Sequence, residues 1–243
     1  MSTPPLFLVD TLPVGTEFVL DGPEGRHAAT VRRLRAGEAI TVSDGAGTVL
    51  SCEVAGPESR DSLRLNVIAR SVVPAPQPRV IIAQALVKGD RGELAVELAT
   101  EAGADVIIPW RASRCVAKWE DGPRADKALS RWRNTVREAA KQARRPHLPE
   151  VREPATTKDL ADLAATATTL VLDATATRLA EIALPTHGDI MLVVGPEGGI
   201  SDTETATLTA AGAHPTRLGP TVLRASTAAA VALGALGALT PRW

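Results

Sequence analysis

The stretch that decides the fold is "VVGPEGGISD", residues 193–202. An aliphatic run, Met191–Val194, stops at Gly195. A Pro-Glu-Gly-Gly turn follows, and Ser201-Asp202 opens a segment that reads as a helix. A buried strand that ends on glycines and hands over to a helix fits an open α/β sheet, where ligands sit beyond the carboxyl ends of the strands. A tight strand-to-helix turn needs no more than this. What the plain turn leaves unexplained is the single carboxylate, Glu197, among glycines that let backbone N–H groups come close to a ligand.

Working outward, the chain keeps the same rhythm on both sides of this turn. Apolar runs fall at Val80–Leu86, Val106–Pro109, Leu170–Asp173, Ile190–Val194 and Thr216–Leu218. Helical patterns lie between them at about Arg91–Ala102, Ala125–Ala143, Thr157–Ala165 and Asp202–Ala211. The alternation predicts an α/β fold with a mostly parallel sheet covered on both faces. The last segment, "RLGPTVLRASTAAAVALGAL", Arg217–Leu236, reads as a strand end, a loop carrying Leu223 and Arg224, and a helix of small residues with Ser226 as its cap. Alanine and glycine bury little apolar area, so this helix is expected to pack closely on another subunit or another part of the chain.

Before residue 74 the pattern is different. Short strands, "LFLVD", "TEFVL", "AITVSD", "TVLSCEVAG" and "SLRLNVIARSVV", are separated by turn signals and interrupted by one helix-like piece, "GRHAATVRRLRAG". That spacing predicts a small β-barrel over residues 1–73. The stretch "PAPQP", residues 74–78, is a semi-rigid linker, and residues 79–243 form the α/β domain.

Composition narrows the function. The chain of 243 residues is 44% hydrophobic and 23% charged, which excludes a disordered protein. Cys52 and Cys115 form no CxxC pair, and the four histidines are scattered without ligand spacing, so no metal site is expected. The opening "MSTPPLFLVD" lacks the basic and apolar regions of a signal peptide, and the apolar tract Ala225–Leu239 is too short to span a bilayer. The expectation is a soluble cytoplasmic protein without a membrane partner. Neither a G-x-G-x-x-G fingerprint nor a P-loop is present, and no Ser-His-Asp arrangement appears.

The net charge of −1 conceals an asymmetry: Arg111–Arg145 holds 11 basic and 4 acidic side chains, a local excess of +7. On a helical wheel over Ala125–Ala143, the residues Ala128, Leu129, Trp132, Val136, Ala139, Ala140 and Ala143 share an arc of about 120°. Lys127, Arg131, Arg133, Arg137, Lys141 and Arg145 occupy the opposite half. This reads as a basic ridge with little acid to neutralise it, suited to a polyanion; a solvated helix face is the plainer alternative.

Taken together, these stretches resemble the RsmE family of ribosomal RNA methyltransferases, members of the SPOUT superfamily. The resemblance runs through "RHAATVRRLRAGEAITVSDGAG", "KGDR", "ELATEAGADVIIP", "EAAKQARRPHLP", "VVGPEGGISDTE" and "RLGPTVLRASTAA". Where many relatives carry Thr-Glu-Thr after the arginine, this chain has Ala225-Ser226-Thr227. The resemblance implies a PUA-like β-barrel, a SPOUT domain with a deep trefoil knot, a homodimer, and methylation of N3 of a uridine in small-subunit (16S) rRNA within the assembled subunit.

The resemblance also implies S-adenosyl-L-methionine held by three segments: Leu172, Asp173 and Ala174; Gly195, Pro196, Glu197, Gly198, Gly199 and Ile200; and Leu218, Gly219, Val222, Leu223, Ser226, Thr227 and Ala228. Uridine N3 carries a proton at neutral pH, so the reaction needs a stabilised uridine anion. Arg224 is the candidate that stabilises it and Glu197 the candidate proton acceptor. The expected RNA contacts are Arg26, Arg32, Arg33, Lys88, Arg91, Arg114, Arg131, Arg144 and Arg145. The competing readings are a SPOUT enzyme acting on another RNA, such as a tRNA 2′-hydroxyl, and a non-catalytic RNA-binding assembly protein.

Overall fold

The fold is seen in a computed structural model that describes residues 3–243. The chain divides into two units, one of residues 1–75 with 140–148 and one of residues 76–139 with 149–243.

In the first unit, β1 (Leu6–Leu8), β2 (Glu17–Leu20), β3 (Ala39–Ser43), β4 (Thr48–Ser59) and β5 (Ser62–Val72) form a five-stranded sheet in the order β1-β3-β4-β5-β2. All its pairings are antiparallel except β1 with β3. Along β4 the residues alternate between buried and exposed, so Leu50, Cys52 and Val54 face a core that also takes in Phe7, Leu20, Ile40 and Leu65. The helix-like piece is shorter and earlier than its sequence predicts. Helix α1 spans Gly22–Arg26, with Pro23 in its first turn, and passes into a single wide turn, His27–Val31, before Arg33 at φ 54° stops it.

Residues 146–148 add an edge to this unit. Ala46 bridges His147, Gly47 N–H donates to the Pro146 carbonyl at 3.0 Å, and Leu148 N–H donates to Gly45 at 2.8 Å. Lys141 is buried against α1, its Nζ 2.9 Å from Glu24 Oε1. This corrects the place of Lys141 on the basic ridge, which its sequence position had predicted. A lone buried ammonium is costly, so its carboxylate partner accounts for its place in the interior.

The second unit holds a six-stranded sheet, all of it parallel, in the order β11-β9-β10-β6-β7-β8. Its strands are β6 (Arg79–Ala85), β7 (Val106–Trp110), β8 (Glu150–Val151), β9 (Thr168–Arg178), β10 (Asp189–Val194) and β11 (His214–Arg217). Five consecutive residues of β10, Ile190–Val194, are buried. Because successive side chains point to opposite faces, both faces of the sheet are covered. The helices are α2 (Arg91–Glu101), α3 (Pro123–Gln142), α4 (Thr157–Ala164), α5 (Asp202–Ala210) and α6 (Ala225–Leu239). Helix α2 packs against α6, and α4 against α5.

Along α3 the expected apolar arc is buried at Ala128, Leu129, Trp132, Val136, Ala139 and Ala140. Ala143 is exposed, because the helix has ended and Arg144 turns with φ 55°. The small residues of α6 have part of their reason inside the chain. The Trp243 indole covers Gly237, where a β-carbon would collide with the ring, and Arg242 is anchored by Asp105 at 2.7 Å and the Gly103 carbonyl at 2.6 Å.

Candidate active site

At the carboxyl ends of β10 and β11, beside the middle of β9, the second unit opens a cavity of about 500 Å³, within the range of small-molecule and cofactor sites. Three segments wall it. The first is the middle of β9, Leu172, Asp173 and Ala174; the expectation had been a loop after a strand ending at Asp173, whereas here the strand runs on to Arg178. The physical reason is a break in register: β11 pairs Pro215 with Val171 and then Thr216 with Thr177, so the residues between leave the ladder on that side. Within this bulge the Asp173 carboxylate accepts hydrogen bonds from the Thr175 N–H and hydroxyl, each at 2.7 Å.

The second wall is the glycine turn. Gly195, Pro196, Glu197, Gly199 and Ile200 line the cavity; Gly198 does not, and faces Arg114. The glycines have reasons internal to the turn. Gly199 has φ +73°, a left-handed conformation that favours glycine. At Gly195 a β-carbon would lie 2.6 Å from Ile200 Cγ1. Close approach to a neighbouring side chain, rather than to a ligand alone, therefore accounts for that residue. Arg114, expected to contact RNA, is exposed and donates from Nη1 to the carbonyls of Gly198 at 3.2 Å and Ile200 at 3.3 Å.

The third wall carries Leu218, Gly219, Val222, Leu223, Arg224, Ser226 and Ala228. Thr227 stands off the cavity and its hydroxyl reaches the Arg224 carbonyl at 3.3 Å. Helix α6 begins two residues earlier than its sequence reading: Arg224 is the N-cap, with no side-chain cap, and Ser226 is buried in the first turn. Ser226 therefore does not cap the helix, since its position is already helical.

Both candidate catalytic residues are at the cavity. Arg224 is exposed at the start of α6, and Glu197 lies across from Arg91, whose guanidinium is 3.9 Å away. Arg91, expected among the RNA contacts, thus also lines the cavity. The remaining expected contacts, Arg26, Arg32, Arg33, Lys88, Arg131 and Arg144, are exposed, while Arg145 is half-buried. The ridge on α3 is more neutralised than its sequence indicates. Arg131 pairs with Glu93 at 3.2 Å and Arg133 with Glu153 at 2.8 Å, acids that other segments bring to the helix. Among the described residues there is no cluster of His, Cys, Asp and Glu fit to hold a metal, and no helix long and apolar enough to cross a membrane.

Sequence reasoning missed Glu204. The motif that carries it, Ser201-Asp-Thr-Glu204, is a capping box, and the structure has both halves: Ser201 Oγ accepts from the Glu204 N–H, and Glu204 accepts from the Ser201 N–H. Thr205, Thr216 and Arg217 also line the cavity without having been expected to.

A parallel sheet with a cavity at its carboxyl edge, walled by a glycine turn and a second loop, defines the class of protein. Residues 74–237 match the RNA methyltransferase domain family and residues 20–68 the RNA methyltransferase PUA domain family. Ribosomal RNA small subunit methyltransferase E of Mycobacterium bovis is 54% identical over 98% of this chain and 93% of its own, and that of Bacillus subtilis is 31% identical over 90% and 89%. The chain belongs to the ribosomal RNA small subunit methyltransferase E family. The Neisseria gonorrhoeae member crystallised with S-adenosyl methionine aligns with a TM-score of 0.87 at 27% identity, over 98% of each chain. A Legionella pneumophila methyltransferase in complex with the same cofactor aligns at 0.86 and 27%, over 98% of this chain and 99% of that one.

Proposed function

We propose that this chain transfers a methyl group from S-adenosyl-L-methionine to N3 of a specific uridine in small-subunit ribosomal RNA, in the cytoplasm. The observation that carries the reading is the cavity itself, where the glycine turn, the β9 bulge and the Leu218–Ser226 segment meet beside Arg224 and Glu197. Its residues suit the cofactor. Val87, Val171, Val194 and Leu223 offer apolar surface, Asp173 and Glu197 offer carboxylates for hydroxyl or amino groups, and Arg91 and Arg217 offer positive charge. When bound, the cofactor supplies an electrophilic methyl group.

The protein's own task is then at the uridine. Glu197 accepts the N3 proton, and Arg224 stabilises the resulting anion at a carbonyl oxygen. A trefoil knot formed by the two loops around the cavity, and a PUA-like barrel that grips RNA, complete the proposed architecture. The proposed homodimer is supported by the exposed apolar residues Val231 and Leu239 on α6 and Leu94 on α2, the helix packed against it. Purified enzyme, labelled cofactor and either assembled small subunits, naked small-subunit rRNA or tRNA test the reading. Mass mapping is expected to find one N3-methyluridine in the subunits; a product confined to tRNA or to a 2′-hydroxyl would overturn it.

A further inference from the structure

Glu204 sits on α5, outside the cavity lining, and is only 7% exposed. Its Oε1 accepts from the Ser113 N–H at 2.7 Å and the Thr157 hydroxyl at 3.2 Å. Its Oε2 accepts from the hydroxyls of Ser113 and Ser201, each at 2.7 Å, and from the Ser201 N–H at 3.1 Å. Burial pushes the carboxyl up, but the serine hydroxyls and N–H groups outweigh it and hold the pKa down to about 2. At neutral pH the group is an anion satisfied by neutral donors.

Capping α5 requires only Ser201 and Glu204. The bonds to Ser113 are surplus to the helix and reach the segment after β7. The next residue there, Arg114, donates to the Gly198 and Ile200 carbonyls. Residues 113–114 therefore grip the glycine turn at 198 and 200 through Arg114, and at 201 both through Glu204 and through the Ser113 hydroxyl, which donates to Ser201 Oγ at 3.2 Å. Two consecutive glycines, Gly198 and Gly199, would otherwise leave this turn many conformations.

We infer that Glu204 is a positioning residue for the cofactor cavity: by tying Ser113 to Ser201 it keeps residues 195–200 in the shape that receives the ligand. This rests on the reading of that cavity as the S-adenosyl-L-methionine site.

The test is calorimetric titration of the full chain with S-adenosylhomocysteine, alongside thermal unfolding. Glu204→Ala is expected to weaken binding by about 10- to 100-fold, the cost of ordering a turn that is no longer preorganised. Glu204→Gln should recover only part of the loss: the two serine hydroxyls can turn to accept from its amide, but one backbone N–H, of Ser113 or Ser201, then faces an NH2 that cannot accept. Thr157→Ala removes a contact that does not reach the turn, and should lower the melting temperature while leaving the Kd unchanged. Should Glu204→Ala fail to fold, Ser113→Ala, which removes the hydroxyl shared between Glu204 and Ser201 but keeps the Ser113 N–H, is expected to weaken binding by about 3- to 10-fold, the scale of a typical hydrogen bond. A folded Glu204→Ala or Ser113→Ala variant with the parent Kd overturns the inference, and so does a Thr157→Ala variant that binds as weakly as Glu204→Ala. Absence of binding by the parent protein overturns the cofactor reading itself, and the inference with it.

Discussion

Gly195 faces Ile200 across the glycine turn so closely that a β-carbon on Gly195 would stand 2.6 Å from Ile200 Cγ1. The turn is thus shaped by its own side chain, and its three glycines are not equivalent. Gly195→Ala must push Ile200 into the cavity or open the turn, an overpacking cost of about 1–3 kcal/mol. Gly199→Ala retains φ +73° at about 1 kcal/mol. At Gly198 an added β-carbon lies 3.4 Å from Arg114 Cβ, an ordinary contact, so Gly198→Ala should stay within about 0.5 kcal/mol. Urea unfolding should rank the three in that order, and calorimetry should find the largest loss of cofactor affinity in Gly195→Ala.

The anion at Glu204 has a signature in acid. Its folded pKa, about 2, lies below the ordinary 4.5, so the unfolded chain takes up the proton first as pH falls. The stability it contributes is fully present above about pH 5 and drains away as pH drops toward 2. The urea midpoint of the parent protein should fall steeply over that window. That of Glu204→Gln, which has no carboxyl to protonate there, should start lower and fall less.

What the sequence reveals and conceals follows from the range of the interactions. The run Ile190–Val194 reads as a strand because both faces of a parallel sheet are buried, and the observed strand, Asp189–Val194, differs by one residue. The β9 bulge is invisible, since it arises from the register against β11 and leaves no mark on local hydropathy. The ridge on α3 was legible as a face but not as a charge, because Glu93, Glu153 and Glu24 come from distant parts of the chain. The capping box Ser201–Glu204 can be read locally. Its reach to Ser113, at a separation of 91 residues, cannot.

The buried pair Lys141–Glu24 is a second consequence of such distant partners. With side chains only 6% and 11% exposed, removing one member takes from the other charge a buried partner of opposite sign. Lys141→Ala should therefore cost about 3–5 kcal/mol, whereas Lys141→Met combined with Glu24→Leu should recover most of it. Urea unfolding of both variants against the parent provides the measure; equal losses in the two would show that packing, and not the stranded charge, carries the effect.

RNA binding should depend on salt, but less steeply than the count of basic residues on α3 indicates. Arg131 is already paired with Glu93, while Arg144 is exposed beyond the helix end. Each phosphate contact removed lowers the slope of log affinity against log salt by roughly 0.7–0.9. Arg144→Ala should show that full decrement and Arg131→Ala a smaller one, with cofactor binding intact in both. Filter binding across a salt series distinguishes this from a solvated helix face, for which neither slope would move.

Arg224 is the residue on which the proposed chemistry turns. It occupies the N-cap of α6 without a side-chain cap, its carbonyl accepts from the Thr227 and Ala228 N–H groups at 3.0 Å each, and the residue lines the cavity. The backbone thus fixes the base of the side chain while the guanidinium is left to act. If it stabilises the uridine anion, Arg224→Ala should reduce single-turnover methylation of small subunits by about 10²–10³, the scale of one preorganised donor. Lysine at this position should rescue only partly, because it keeps the charge but lacks the planar fork. Cofactor affinity and solution mass should change little in either variant, since the helix contacts at residue 224 are made by its backbone. Raising the pH should separate the two candidate roles. A uridine that ionises in solution no longer needs Glu197 as acceptor, so Glu197→Gln should regain activity as pH approaches the uridine pKa, whereas Arg224→Ala should remain impaired. Near-parent turnover in Arg224→Ala would remove the residue from the mechanism, and a variant that loses its parent mass would reassign it to assembly.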